Sequence, residues 1–514
     1  MRAQEEVDRQ ADATPAFVRS LQARIPARIQ RMRGALSSWR PPAPESTLAV
    51  RLTLVGLVIA LQNLLELPRE LFTAFLGLQL TSLLVVMVLA ASLVLLLRAL
   101  ALEPPSWAWL RSRRVQTAVL VVTLAAALLG VKTAGSILVS GFRAPYYPND
   151  GTTLDHYAAL ELLHGHNPYV TTDIVAAIRL FHQDPTWTTP LHRGVFADSP
   201  WTQYPTHVQV RQIFAHEPVG QPERVQEFES RESYPALAFL ALVPVVWAGL
   251  PSVVLFFALC LIALAVLLVR ASPPAVRPFV ALLLLADASL LDATVAGDLD
   301  VFYILLLFIA WRYLRRPLTS TLGLGLALAA KQLAWFFLPY YAIAVARKYG
   351  WREAMKRTGA SAVIFVLINA PFILNNPRAW AAGVLAPEMD PMFPMGNGLV
   401  RLSTAGLLPL LPAQLHLALE AVAFALCLVW YARSGWRTPE VGFVLAVVPL
   451  FFAWRSLTTY FYFVALPAIV LLLARSRESE QTESTSVRTT PQWNLAERLA
   501  DSTTRLRLVL AGRR

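Results

Sequence analysis

From residue 47 onward the chain alternates long apolar runs with short polar breaks. The runs fall near 47–66, 70–98, 115–140, 234–250, 252–270, 278–296, 299–313, 318–332, 333–348, 358–374, 413–432, 440–454 and 458–474. Many approach the ~20 residues that a helix needs to cross a bilayer. Inside hydrocarbon only helices and closed barrels satisfy their own backbone polar groups. The pattern predicts an all-α polytopic membrane protein, a bundle of about 11–13 transmembrane helices. Two polar stretches interrupt it, 141–233 and 375–405. The first is far longer than an ordinary connection. It is rich in tryptophan, proline and histidine and not of low complexity, so it is expected to be ordered and to contain short helices.

Basic residues orient the runs. Arg98, Arg111, Arg113 and Arg114 follow the second run, and Arg312, Arg315 and Arg316 mark a later turn. ARKYGWREAMKR at 346–357 marks another. By the positive-inside rule these breaks are cytoplasmic, which puts 141–233 and 375–405 on the outer face. RASPPAVR at 270–277 also reads as cytoplasmic, so the chain should cross an odd number of times between 234 and 270. One of the two runs there is therefore expected to be tilted, re-entrant or interfacial. The polar segments 1–46 and 475–514 are read as cytoplasmic tails. PAFVRSLQARIPARIQRMRGAL in the first suits either an interfacial segment on an anionic leaflet or a disordered tail. The second ends in the amphipathic basic stretch NLAERLADSTTRLRLVLAGRR.

Composition agrees. The chain of 514 residues is 56% hydrophobic and 15% charged, against about 25% charged in soluble domains. Its net charge of +12 is carried by arginines beside the runs, and no aromatic-basic module accompanies it, which argues against nucleic acid. Cys260 and Cys427 both lie in apolar runs and give neither a disulfide framework nor a metal spacing.

A charge inside a span costs roughly 2.5–3.5 kcal/mol, so charges near spans are informative. Four places stand out, all assigned to the outer face. The first is YYPNDGTTLDHYAALELLHGHNPY at 146–169. Asp150 sits in an Asn-Asp-Gly turn. Asp155 completes a Thr-x-x-Asp capping box for a helix over 153–164. Each has a structural explanation, and each is a candidate general base, Asp150 the better one. His164 and His166 are two apart, which alone is too little for a metal site. The second place is Gly297-Asp298-Leu299-Asp300, either a polar turn or a pair of carboxylates that orient hydroxyls or a cation. The third is Lys331, either snorkelling or a counter-ion for phosphate. The fourth pairs PMFPMGNGLVRLSTAG, with Arg401, and WRSLTTYFYFVALP, with Arg455, Tyr460 and Tyr462. Outer arginines suit phosphate clamping or salt bridges to Glu227, Glu229 and Glu232.

Together these residues suit sugar transfer from a lipid phosphate. The phosphate leaves without a general acid but needs cations, and the acceptor hydroxyl needs one carboxylate base. A glycosidase instead needs a carboxylate pair.

The sequence resembles the polyprenol-phosphate-mannose-dependent mannosyltransferases of the GT-C superfamily. The resemblance runs over roughly 115–475 and rests on the order of short motifs: an acidic residue after an early span; Leu162-Leu163-His164-Gly165-His166-Asn167-Pro168-Tyr169; Tyr234-Pro235-Ala236-Leu237, which lacks the family's second proline; Gly297-Asp298; Lys331; Gly396-Asn397; and Trp454-Arg455-Ser456 with Tyr460. The spans within 47–114 are additional, and 115–474 would be the catalytic membrane domain. The resemblance implies a GT-C-like bundle and inverting transfer of a mannose-like sugar. The donor would be a polyprenyl phosphate sugar and the acceptor a glycan, lipid or protein. Asp150 or Asp155 would be the base, and Lys331, Arg401 and Arg455 would hold the phosphate. Tyr157, His164, Asn167, Tyr169, Tyr234, Asp298, Asp300, Asn397 and Tyr460 would line the substrate. A divalent metal stays possible. The implied location is a bacterial plasma membrane with the site on its extracytoplasmic face. The competing readings are a transporter or flippase of lipid-linked saccharides, another lipid-linked transferase, and a membrane scaffold.

Overall fold

The computed structural model describes residues 43, 46–65, 69–221 and 224–489. The interfacial segment proposed within 1–46 and the amphipathic end of 475–514 lie outside the described residues. The described chain is mostly helical. Its principal helices are α1 (Thr47–Leu65), α2 (Arg69–Leu100), α3 (Arg113–Ser140), α4 (Asp150–Leu163), α5 (Val254–Ala271), α6 (Asp300–Arg312), α7 (Pro317–Ala330), α8 (Trp351–Asn375), α9 (Ala413–Arg433) and α10 (Ala465–Thr489).

Among the described residues, seven helices are long and apolar enough to cross a membrane, or eight if the bent pair Pro274–Ala286 and Ala288–Val295 is one span. Their outward faces are apolar too. Leu129 of α3 and Leu374 of α8 are 77% and 84% exposed. Apolar surface on this scale is stable only against lipid or a partner, so the helices are compatible with a multi-pass membrane protein.

The expected 11–13 spans are corrected by these lengths. Several apolar runs fold into helices too short to span. α6 has 13 residues and α7 has 14. The run 333–348 divides into a 3-10 turn and the helix Leu338–Tyr349. Charged residues and a proline mark these limits: Asp300 opens α6, Lys331 follows the last residue of α7, and Pro339 lies in the first turn of the next helix.

The parity conflict resolves in the same way. The run 234–250 folds into two short helices, Leu237–Leu240 and Val243–Trp247, broken near Pro244. Only α5 is long enough to span in that region.

Several arginines gather at one end of the bundle, where they satisfy carbonyls at or just past helix C-termini. Arg51 donates to Ala99 O at 2.5 Å and to Leu102 O at 3.0 Å, beyond the end of α2. Arg347 donates to Ala432 O at 2.8 Å near the end of α9. Arg357 donates to Leu314 O at 2.7 Å, past the end of α6. Arg475 reaches Arg437 O at 2.8 Å and Glu440 Oε1 at 3.2 Å.

The opposite end is built by the described residues of 141–253, which carry several short helices. α4 and the short helices Pro168–Thr171, Ile174–Leu180 and His207–Phe214 enclose a small core of their own, including Leu154, Ile178, Phe214 and Phe228. Phe393, from the other long polar stretch, completes that core. A two-residue parallel sheet joins the same stretch to a later one: β1 (Met395–Gly396) pairs with β2 (Arg455–Ser456).

Candidate functional site

The end of the bundle opposite the arginines holds a polar cluster. It begins at α4. Asn149, not Asp155, caps this helix: its Oδ1 accepts from Thr152 N at 2.7 Å. Its Nδ2 donates to Asp298 Oδ1 at 3.0 Å and to Ala296 O at 3.1 Å. One amide thus starts the helix and ties it to the turn before α6. Thr152 Oγ1 adds a bond to Gly297 O at 2.8 Å. Gly297 has φ of 77° and a Cβ there would meet Thr152 Cγ2 at 2.7 Å, so both conformation and space require glycine.

This corrects the expected helix start and both structural roles. The helix opens at Asp150, three residues earlier than the box at Thr152 implied, because Asn149 outcompetes Thr152 as cap. Asp150 is therefore not in a turn. It is the first helical residue, where the positive end of the helix dipole favours a carboxylate. Asp155 lies more than a turn further on and caps nothing.

Asp155 is instead buried beside Glu232. Two buried neighbouring carboxyls repel when both are ionised, which favours keeping a proton on one of them. Burial, then the charge of Glu232, push Asp155 well above the usual carboxylate range. Burial also pushes Glu232 up to about 7. Glu232 Oε1 accepts from Tyr234 N at 3.0 Å, and its own N–H donates to Thr172 Oγ1 at 2.9 Å. Tyr169 Oη donates to Tyr234 O at 2.7 Å. The segment 232–234 is thereby clasped on both sides.

Lys331 lies next to this clasp. Its Nζ is 2.9 Å from Asp300 Oδ2, with both side chains buried. It also lies over the rings of Tyr234 at 5.3 Å and Tyr303 at 5.8 Å. The snorkelling alternative is thus corrected: Lys331 points inward to a carboxylate. Lys331 and Asp300 stand at the ends of α7 and α6. Helices of that length span about 20 Å, against about 30 Å of hydrocarbon. The pair therefore closes the ends of two helices that are each about 10 Å shorter than the hydrocarbon layer.

The charged neighbours extend the cluster. Asp298 is in electrostatic range of Asp300, Lys331 and Asp150. Tyr460 is in range of Arg455, Lys331 and Asp300. Tyr204 is in range of Arg455 and Asp150. The β1–β2 pair holds the cationic side. Asn397 N donates to Ser456 O at 2.8 Å, and Arg401 Nη1 lies 3.5 Å from Asn397 Oδ1. Gly396, with φ of 128°, allows the strands to touch; a Cβ there would be 2.1 Å from Ser456 O.

The structure thus brings together Asp150, Asp155, Tyr234, Asp298, Asp300, Lys331, Arg455 and Tyr460 from distant parts of the chain, with Asn397 and Arg401 on the adjoining strand-and-helix edge. Tyr169 stands behind Tyr234. Three candidates lie elsewhere. Tyr157 neighbours Glu161 and Asp173. His164 is exposed at the end of α4. Asn167 caps Pro168–Thr171 and bonds to Asn375 Oδ1 at 2.8 Å. His166 pairs with Glu161 at 2.9 Å. Among the described residues no group of three or more metal-ligating side chains is placed to hold a metal. A shallow cleft of about 590 Å³ lies away from the cluster, against Val195, Ile213, His216, Glu217 and Glu227.

The long loop's acids, one of two partners open to the outer arginines, make their contacts elsewhere. Glu229 pairs with Arg231 at 3.7 Å, Glu227 accepts from Val195 N at 2.9 Å, and Glu232 turns inward to Asp155. Glu232, Tyr204 and Tyr303 are the site neighbours that sequence reasoning missed as such. Glu232 had one signal: it lies two residues before the Tyr234 motif.

Comparison with protein-family models, with curated proteins and with solved structures gives no match for this chain.

Proposed function

We propose that the protein is an integral-membrane glycosyltransferase that moves a mannose-like sugar from a polyprenyl phosphate to an acceptor hydroxyl, with inversion. The observation that carries this is the meeting of Asp150 with the Lys331–Asp300 pair and Arg455 at one end of an apolar bundle. A lipid-phosphate substrate needs such a place: cations at membrane depth for the leaving phosphate, and a carboxylate facing water for the acceptor.

In this reading Asp150 takes the proton of the acceptor hydroxyl as that oxygen attacks the anomeric carbon. The bond from that carbon to the phosphate oxygen breaks, and the polyprenyl phosphate leaves with its electron pair. Arg401 and Arg455 hold the phosphate. Lys331 has one N–H on Asp300 and two left to donate. Asp298 and Asp300 orient sugar hydroxyls. Asp155 is the weaker candidate for the base, because it is buried, and burial and the charge of Glu232 favour its protonated form. The site would face the extracytoplasmic side of a bacterial plasma membrane, opposite the arginine-rich end.

One observation favours a second reading. Buried carboxyl pairs such as Asp155–Glu232 also serve proton-coupled transporters, so a transporter of lipid-linked saccharides is the runner-up. Purified protein supplied with labelled polyprenyl-phosphate mannose and membrane-derived acceptors separates them. Transfer of label to an acceptor supports the enzyme. Label that crosses a proteoliposome membrane without leaving its lipid supports the transporter.

A further inference from the structure

We infer that Trp201 and Tyr204, on the loop 197–206, form the wall of a subsite for the sugar rings of a carbohydrate acceptor, beside Asp150 and Arg455. The inference rests on the glycosyl-transfer reading and adds the acceptor's chemical class.

Trp201 is 36% exposed yet held firmly. Its ring stacks on His192 with centroids 3.7 Å apart and planes 8° from parallel. His192 is fixed in turn: its Nε2 lies 2.7 Å from Ser199 O, and its backbone N–H donates to Pro391 O at 2.7 Å. Edge contacts to Trp454 at 5.7 Å and Phe393 at 6.0 Å complete the seat. His192 covers one face of the indole. An exposed aromatic whose ordering cost is already met by such a seat is a preorganised binding surface.

Tyr204 is 40% exposed and packs its ring edge on Phe393 at 5.8 Å. Its hydroxyl is within electrostatic range of Arg455 and Asp150. Arg455 Nη1 is buried there without a hydrogen-bond partner. The combination matches a pyranose. The C–H face of the ring lies on an aromatic side chain, and the hydroxyls around its rim meet a carboxylate and a guanidinium. A lipid tail would leave those charges unsolvated. The residues around Trp201, namely Asp198, Ser199, Thr202 and Gln203, are polar as well.

The test uses full-length protein in detergent and measures equilibrium binding of labelled mannotriose, maltotriose and cellotriose. Wild type is compared with Trp201→Ala, Trp201→Phe and Tyr204→Ala, with thermal unfolding recorded for each. The expected result is saturable binding of at least one trisaccharide. Trp201→Ala and Tyr204→Ala weaken it roughly tenfold, Trp201→Phe by about threefold or less, and the unfolding temperatures stay close to wild type. If wild type binds none of the three, or Trp201→Ala binds as tightly as wild type, the subsite is overturned. Trisaccharide binding that depends on Trp201, without any sugar transfer, upholds the subsite and sinks the transferase reading. Transfer with an acceptor KM that ignores Trp201 does the reverse.

Discussion

Lys331 Nζ and Asp300 Oδ2 lie 2.9 Å apart, buried, at the facing ends of two helices too short to cross a bilayer. Their closeness explains both ends at once. Asp300 stands at the N-terminus of α6, where the helix dipole favours a negative charge. Lys331 breaks α7 in an extended conformation, which aims its ammonium group at that carboxylate.

Removing one partner strands the other charge in a buried site. Lys331→Met is predicted to destabilise the folded protein by about 3–5 kcal/mol. The double variant Lys331→Met/Asp300→Leu is predicted to recover much of that stability while staying inactive. Thermal unfolding in detergent checks the first part and sugar transfer the second. A double variant no more stable than the single one would contradict a direct pairing.

Two loop carboxyls make stability depend on pH. Burial, followed by the neighbouring Asp390, pushes Glu229 up to about 8; burial pushes Glu232 up to about 7. Both folded values lie above the ordinary glutamate value of 4.5. As pH rises past the ordinary value, the unfolded chain releases these protons and the folded chain does not. The stabilisation is therefore complete at low pH and is lost as pH climbs through 7 to 8. Wild type is predicted to melt at falling temperatures from pH 5 to pH 8.5. Glu232→Gln, which cannot ionise, is predicted to flatten part of that slope. An unchanged slope would refute the proton held on Glu232.

Asn149 is predicted to act as a positioning residue. Asn149→Ala loses the cap and the bond to Asp298, a cost of about 1 kcal/mol in stability. It is predicted to lower kcat much more than it raises KM, because Asp150 loses its register against the turn before α6. Asn149→Ser keeps a cap but not the Asp298 bond, so it should restore stability and not kcat. Equal recovery of both would leave Asn149 as a cap alone.

Two glycines with positive φ should differ. At Gly396 an added Cβ meets Ser456 O at 2.1 Å, whereas at Gly165 it meets nothing within 4 Å. Gly165→Ala is predicted to cost only the backbone strain of about 1–2 kcal/mol. Gly396→Ala should also part β1 from β2 and abolish activity. Melting temperature and transfer rate, measured together, separate the two effects.

The apolar runs made legible the long apolar helices that suit a membrane, and the arginine pattern anticipated that several arginines would cap helix ends opposite the long loop. Span count was not legible, because hydropathy registers apolar length and not the points where a helix starts at Asp300 or stops before Lys331. The start of α4 was misplaced because Asn149 and Thr152 are both good caps, and only the Asp298 bond decides between them. The inward turn of Asp155 was invisible for a related reason: its partner Glu232 is 77 residues away in the chain. Clustering of the later candidates followed from assigning them all to one face, which needs only run order. Trp201 and Tyr204 escaped notice because an aromatic in a long loop has no periodicity to mark it.

The most direct test of the central claim is transfer of labelled mannose from polyprenyl-phosphate mannose by purified protein. Wild type, Asp150→Asn and Asp155→Asn would be compared at matched folding. Wild type is predicted to transfer label, Asp150→Asn to fall by about 10²–10⁴-fold, and Asp155→Asn to keep measurable activity. Transfer that survives Asp150→Asn undiminished, or its absence in wild type with every membrane-derived acceptor, would contradict the account.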